Sequence, residues 1–287
     1  SAASDVYKRQ ILATSIIEEI AKQYPEDQLI VMSGYPEVFI NNPHVDRAYA
    51  FGQSTYFYQD YVDGKSFMVM AHDPYMDTSF LRQNEHLSAT WGKMFGLSVE
   101  DPTPRLYLTR REIEFFSNKF MSEKPILLMQ TNGGAQNQEL KYSWARDIPA
   151  CVINPVIEEF KNQYHIVHIK REDQVGYQGT TPVTDGFRAL TVLIGLSAKR
   201  LMMDSFGQHT AAALGKKSTV LWIANKPEVF GYQIHDNILA NPETKTPELR
   251  HAYLQKYDIS GNIIEFPYNS ELDIFNVDKV IASIKNQ

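Results

Sequence analysis

Cysteine is almost missing from this chain: Cys151 is the single one among 287 residues. One thiol builds neither an intrachain disulfide nor a Cys-based metal cluster, and a reducing compartment is the natural setting. Long apolar runs are missing too. No stretch approaches the roughly 20 consecutive apolar residues that span a bilayer, and residues 1–10 lack the apolar core of a signal peptide. A cytoplasmic location is therefore expected. Positive charge is in the minority, with 28 Lys plus Arg against 34 Asp plus Glu and a formal charge of −6. A surface that coats nucleic acid needs a cationic excess to neutralise phosphates, so no nucleic-acid partner is expected. Several catalytic signatures are also wanting. H-E-x-x-H and G-x-S-x-G do not occur, which removes the commonest zinc-protease and serine-hydrolase readings. G-x-G-x-x-G and G-x-x-x-x-G-K-[ST] are absent as well, which weakens a dehydrogenase or P-loop reading.

What is present is ordinary globular material, 43% apolar and 22% charged, enough for one large domain or two of roughly 140 residues. From Ala13 the apolar positions Ala13, Ile16, Ile17, Ile20, Ala21 and Tyr24 form one helical stripe, which Pro25 ends. Residues 28–32 (QLIVM) and 65–71 (KSFMVMA) read as short strands. Leu87, Trp91, Met94 and Phe95 mark a helix that Gly96 terminates. A strand is expected at 106–108. Thr109 with Glu112 is a capping box, opening a helix that buries Ile113, Phe116 and Phe120. The polar stretch 122–124 is the expected boundary between a domain at 1–122, which lacks its first strand, and a second at 123–287. Beyond it strands at 125–130, 165–169, 200–203 and 218–223 alternate with helices at 151–164, 187–196 and 208–214. A last helix covers 277–285. Such alternation means parallel sheets covered on both faces, with ligands at the carboxyl ends of strands.

The most informative segment is 200–223 (RLMMDSFGQHTAAALGKKSTVLWI), a strand, tight turn, helix, glycine stop and strand. Asp204, Ser205, Phe206 and Gly207 lie where the strand hands over to the helix. There the first helical turn has unpartnered N–H groups and the positive end of its dipole. An anion, above all a diphosphate, suits such a turn. Gly207 allows close approach, and Ser205, Gln208, His209 and Thr210 can add hydrogen bonds.

Residues 204–220 (DSFGQHTAAALGKKSTV) resemble the D-[ST]-G-x-x-H-x-A-A-A-L-G-x-P-x-V signature of the heptosyltransferase-like glycosyltransferases, family 9. Other pieces fall in the same order. Residues 11–25 are similar to the family's first helix, Asn42-Pro43-x-Val45-Asp46 to its n-P-x-V-D segment, and Thr131, Asn132 and Lys141-Tyr142-Ser143-Trp144 to the opening of its donor domain. The resemblance implies an α/β fold of GT-B type, two Rossmann-like domains facing a central cleft, with the acceptor on the first and a nucleotide-sugar on the second. It implies inverting, metal-independent transfer to a lipopolysaccharide-like or other glycan acceptor, no cofactor, and peripheral membrane association through a glycolipid acceptor. The absence of any Asp-x-Asp pair agrees with a reaction that needs no bound metal. Asp204 and His209 would then be the catalytic pair. Thr131, Asn132, Lys141, Glu172, Ser205, Gly207, Gln208 and Thr210 would hold the donor. Non-catalytic nucleotide-sugar binding and sugar-nucleotide 2-epimerisation are the alternatives.

The chain departs from that pattern in places. Lys8, Arg9 and Gln10 stand where the family has a Gly-Asp turn with its candidate general base, and residues 1–10 look foreign to the fold, as at a truncation. Phe206 replaces a glycine, and Lys217 a proline. His72, following the strand expected at 65–71, is an acceptor-side candidate. His165 and His168 point to opposite faces of a strand and cannot share a metal. Tyr56, Phe57, Tyr58 and Tyr61 read as a half-buried strand or loop.

Overall fold

The computed structural model describes residues 3–133, 146–244 and 272–287, with side chains from Tyr7 onward. The first helix, α1 (Ala3–Gln23), buries Ile11, Leu12, Ile16 and Ile17. Thr14 lies on the same face, and its Oγ1 accepts the Arg105 backbone N–H at 2.8 Å. The helix begins well before the apolar stripe, at Ala3. Tyr7 stacks on Phe187, and Lys8 is buried. Strands β1 (Ile30–Ser33) and β2 (Arg47–Ala50) follow as a parallel two-stranded sheet.

The segment 65–71 is not a strand. Phe67, Met68 and Val69 are exposed and form no ladder, so their apolar character has no sheet to join. The aromatic run is likewise neither strand nor loop, but the short helix α2 (Phe57–Tyr61), with Tyr58 exposed and Tyr61 bonded to the Tyr49 hydroxyl. After α3 (Thr78–Leu81), α4 (Leu87–Met94) ends as expected at Gly96, whose φ of +73° needs a residue without a Cβ. Residues 106–108 join no ladder, contrary to the strand expected there; Leu106 packs into the core.

The capping box forms as expected at the start of α5 (Arg110–Lys119). Its burial differs. Ile113 is exposed, and Phe116 and Phe120 are only partly covered, while Glu112 pairs with Arg188.

The second half is regular. Strand β3 (Ile126–Gln130) leads to α6 (Ala150–Phe160), β4 (His165–Ile169) and β5 (Thr181–Val183). Then come α7 (Phe187–Leu196), β6 (Lys199–Met203), α8 (Phe206–Ala213), β7 (Thr219–Trp222), α9 (Pro227–Phe230) and β8 (Asp236–Leu239). The C-terminal helix spans Val277–Lys285. The six strands are all parallel, in the order β5-β4-β3-β6-β7-β8.

Alternation along the strands divides the core between the two faces of this sheet. Leu127, Met129, Leu201 and Met203 pack against α6 and the C-terminal helix. Ile126, Leu128, Met202, Val220 and Trp222 face the other way, and that side also takes in Ile11, Leu12 and Leu87 from the first half. Helix α1 packs on α8, so the two halves share one apolar interior.

Candidate functional site

The strand order sets the site. From β3 the chain moves outward through β4 and β5, then returns to lay β6 on the other side of β3. The crevice at the carboxyl ends of β3 and β6 is therefore the topological switch point, where sheets of this winding bind ligands. Residues picked from sequence in two distant segments meet there. Thr131 and Asn132 follow β3, and Asp204 and Ser205 follow β6.

Gln130, the last residue of β3, links the two. Its Nε2 donates to Ser205 Oγ at 3.1 Å, and its Oε1 accepts the Gly207 N–H at 3.0 Å. Ser205 is the N-cap residue of α8 but makes no side-chain cap bond, so Gln130 supplies the acceptor at the helix tip. Asp204 has its Oδ1 2.6 Å from Lys8 Nζ, while its Oδ2 accepts from Asn225 Nδ2 and its backbone oxygen from Arg146 at 3.4 Å. Asp204, Ser205, Gln208, His209 and Thr210 are all at most 1% exposed. At this point the crevice is filled by the protein's own groups, Gln130 and Lys8.

Around the turn the imidazoles are neutral. Gln208 Nε2 donates to Phe230 O at 2.8 Å and lies 3.0 Å from His209 Nε2 and 3.3 Å from its Nδ1. His209 Nδ1 is hydrogen-bonded to the Tyr232 hydroxyl at 2.7 Å. His235 Nε2 donates to the Gln208 carbonyl at 2.9 Å. Burial pushes His209 well below the ordinary imidazole range, reinforced by the Lys8 ammonium; burial also brings His235 down to about 4. His86, the N-cap of α4, lies against the same Tyr232 ring and is likewise lowered to about 4 by burial and by Lys8. Burial and Asp204 raise the Tyr232 phenol far above its usual value.

On the β3 side, Thr131 Oγ1 donates to Asn132 Oδ1 and accepts from His168 Nε2, both at 2.8 Å. Asp147 takes the Asn132 Nδ2 and the Gly133 N–H. His168 thus orients Thr131, and His165 bonds Thr181 on the opposite face of β4, so the two histidines point apart as expected.

The remaining candidates lie elsewhere. Glu172 is exposed in the loop after β4. His72 is also exposed, edge-on to Phe95, with its carbonyl accepting from Trp91 Nε1 at 3.0 Å. The strand expected to place His72 at its carboxyl end is absent. Lys141, with Tyr142, Ser143 and Trp144, lies outside the described residues. Among the described residues no group of three or more His, Cys, Asp or Glu side chains is arranged to hold a metal ion, and no helix is long and apolar enough to cross a membrane.

Four participants escaped the sequence reading: Lys8, Gln130, Arg146 and Asn225. One signal was available for Lys8, which precedes Ile11 and Leu12 by three and four residues and so continues their buried face.

As a whole the chain shares the fold of GT-B glycosyltransferase structures, with a six-stranded parallel sheet in the second half and, in place of a full Rossmann-like sheet, a two-stranded one in the described residues of the first. The chain is similar in fold to a glycosyltransferase family 9 structure from Veillonella parvula (TM-score 0.67, 16% identity, covering 98% of this chain and 94% of that one). It is also similar to the ADP-heptose lipopolysaccharide heptosyltransferase II of Escherichia coli (TM-score 0.58, 13% identity, 96% and 94% covered). A third likeness is to TibC, the iron-containing dodecameric glycosyltransferase of enterotoxigenic E. coli (TM-score 0.65, 11% identity, 98% and 74% covered). No protein-family model matches the chain, and no curated protein matches it by sequence.

Proposed function

We propose that this protein is an inverting glycosyltransferase that passes a sugar from a nucleotide-sugar donor to a glycan or glycolipid acceptor of lipopolysaccharide type. The observation that carries the reading is the meeting of the end of β3, through Gln130, with the Asp204–Thr210 turn at the switch point of the six-stranded sheet. An acceptor hydroxyl attacks the anomeric carbon, the bond from that carbon to the diphosphate oxygen breaks, and charge develops on the departing nucleoside diphosphate. Preorganised donors are most effective where that charge appears. The Gly207 N–H and the α8 dipole supply them once Gln130 Oε1 gives way to phosphate oxygen. Ser205, Gln208, Thr210, Thr131, Asn132 and Lys141 complete the donor contacts, with Asp204 and His209 nearest the reacting atoms. Residues 123–287 would hold the donor and residues 1–122 the acceptor. The neighbours' iron and ADP-heptose belong to those proteins; the nucleotide and sugar used here are open to measurement.

The test is a panel of nucleotide-sugars and nucleoside diphosphates scored by thermal stabilisation, followed by transfer or donor hydrolysis. A ligand at one hundred times its Kd adds about 2.7 kcal/mol of stability, so a binder is visible. A panel that leaves the melting temperature unmoved sinks the proposal. One observation favours a second reading, donor binding without transfer. Arg9 and Gln10 stand where the family's base belongs; Arg9 is engaged by Asp73, and Gln10 accepts from Ser33. Stabilisation by a donor with neither transfer nor hydrolysis would select that reading.

A further inference from the structure

Three imidazoles pack around the ring of Tyr232. The ring centres of His86, His209 and His235 lie 5.4, 5.5 and 6.0 Å from it. His209 and His235 belong, with Tyr232, to the second half of the chain. His86 comes from the first half, as the N-cap residue of α4. It is thus a polar group that one half lays against the site of the other.

Hydrogen bonding fixes where its proton sits. The Ser88 backbone N–H donates to His86 Nδ1 at 3.2 Å. Burial keeps the ring neutral, and a neutral imidazole that accepts at Nδ1 carries its proton on Nε2. That Nε2 is buried and finds no hydrogen-bond partner among the described residues. Across the junction the need is the opposite one. His235 Nε2 donates to the Gln208 carbonyl, which leaves His235 Nδ1 as an acceptor, buried and likewise unmatched. Gln208 Oε1 is a second unmatched acceptor, since the amide nitrogen of that side chain goes to the Phe230 carbonyl. Buried polar groups left without partners are costly and uncommon. Here a donor from one half and two acceptors from the other gather about a single ring.

The mixture indicates the ligand chemistry. Phosphate oxygens accept only, so a diphosphate could meet His86 Nε2–H but would leave Gln208 Oε1 and His235 Nδ1 facing another acceptor. A hydroxyl both donates and accepts, and a sugar carries several of them on one rigid ring. We infer that His86 is a specificity-determining residue for the transferred sugar: its Nε2–H donates to a hydroxyl oxygen of that sugar, whose hydroxyl protons go to Gln208 Oε1 and His235 Nδ1. The inference rests on the donor site proposed above and adds that the sugar is recognised from both halves. The subsite is buried where the halves meet, and the sugar enters when they part.

The experiment measures, by calorimetry on the full chain, binding of ADP, GDP, UDP, CDP and dTDP, each free and linked to glucose, galactose, mannose or a heptose. His86→Asn and His86→Ser keep a good N-cap for α4 and remove the Nε2–H. Each should bind the preferred nucleotide-sugar about tenfold more weakly, the loss expected when a hydroxyl loses its partner. The matching free diphosphate should bind as it does to wild type. A merely structural histidine would move both ligands alike, and that result overturns the inference, as does an unchanged affinity for the nucleotide-sugar. Donors with single hydroxyls replaced by hydrogen test the contact in the wild type itself. One such position should lose the same factor in wild type and nothing further in the His86 variants; loss at no position overturns the inference even where the variants fail to fold. A wild type that binds free diphosphates but no nucleotide-sugar overturns the sugar contact and leaves the diphosphate site standing. Binding of neither overturns the donor site itself, and this inference with it.

Discussion

Gln130 Oε1 accepts the backbone N–H of Gly207 at 3.0 Å, so the tip of α8 is capped from the neighbouring strand and not by its own N-cap residue. A helix start capped by its own serine or aspartate keeps that group on the same segment. Here the acceptor arrives from β3 on a side chain that can rotate away. The N–H is thus satisfied without ligand and can be handed to a stronger acceptor.

That closeness makes Gly207 intolerant of any side chain. A Cβ there would lie 2.5 Å from Gln130 Oε1 and 2.9 Å from Met202 Sδ. Gly207→Ala should force both to shift and lower stability by about 1–3 kcal/mol, the usual cost of overpacking. Urea unfolding followed by circular dichroism reads the change. A midpoint equal to wild type would mean that Gln130 does not reach the helix tip.

Glu112 closes the capping box of α5 and also binds Arg188 on α7, at 2.8 Å through Oε1. The Arg188 guanidinium, with the Thr109 bonds, holds its carboxyl down at about 2. The folded value lies below the unfolded one, so this stabilisation is present above about pH 4.5 and is lost as pH falls toward 2. Glu112→Gln should therefore flatten the stability profile between pH 4.5 and 2. At neutral pH it should cost about 1–3 kcal/mol for the charged hydrogen bonds. Parallel acid-unfolding curves for the two proteins would refute the contact.

The buried histidines act over a different window. His168 and His235 both sit near 4, chiefly through burial. An unfolded chain takes up these protons below about pH 6.5, whereas the folded one resists until about 4, so stability falls as pH drops through that interval. Each imidazole then contributes a loss on the order of 3 kcal/mol. NMR titration of the imidazole carbons should show both rings neutral at pH 5.5. Titration of either near 6.5 in the folded protein would contradict its burial.

The limits of sequence reading are instructive in particular elements. Helix α7 and the C-terminal helix were legible to the residue, because their apolar periodicity and their ends coincide. Strands β3, β4, β6 and β7 were visible as short apolar runs. Strand β5 was not, for it has three residues, one of them Pro182, and lies at the sheet's edge where a proline is tolerated. Residues 65–71 have strand composition but no partner, and composition does not report partners. The site divides along the same line. Asp204 to Thr210 form one local motif and could be read as a unit. Lys8, Gln130 and Asn225 reach that motif through the tertiary fold, and no local spacing announces them.

His209 is the residue whose structural and functional roles most need separating. It is fully buried, and its Nδ1 is hydrogen-bonded to the Tyr232 hydroxyl at 2.7 Å. Tyr232→Phe removes that partner and strands a buried ring nitrogen, which should cost about 1–3 kcal/mol. Removing both partners, as in Tyr232→Phe/His209→Leu, leaves nothing unsatisfied between them and should return much of the loss. If His209 serves the donor, the double variant will be well folded and still bind nucleoside diphosphate poorly. Recovery of stability together with full affinity would confine His209 to the core and leave the donor to Asp204 and its neighbours.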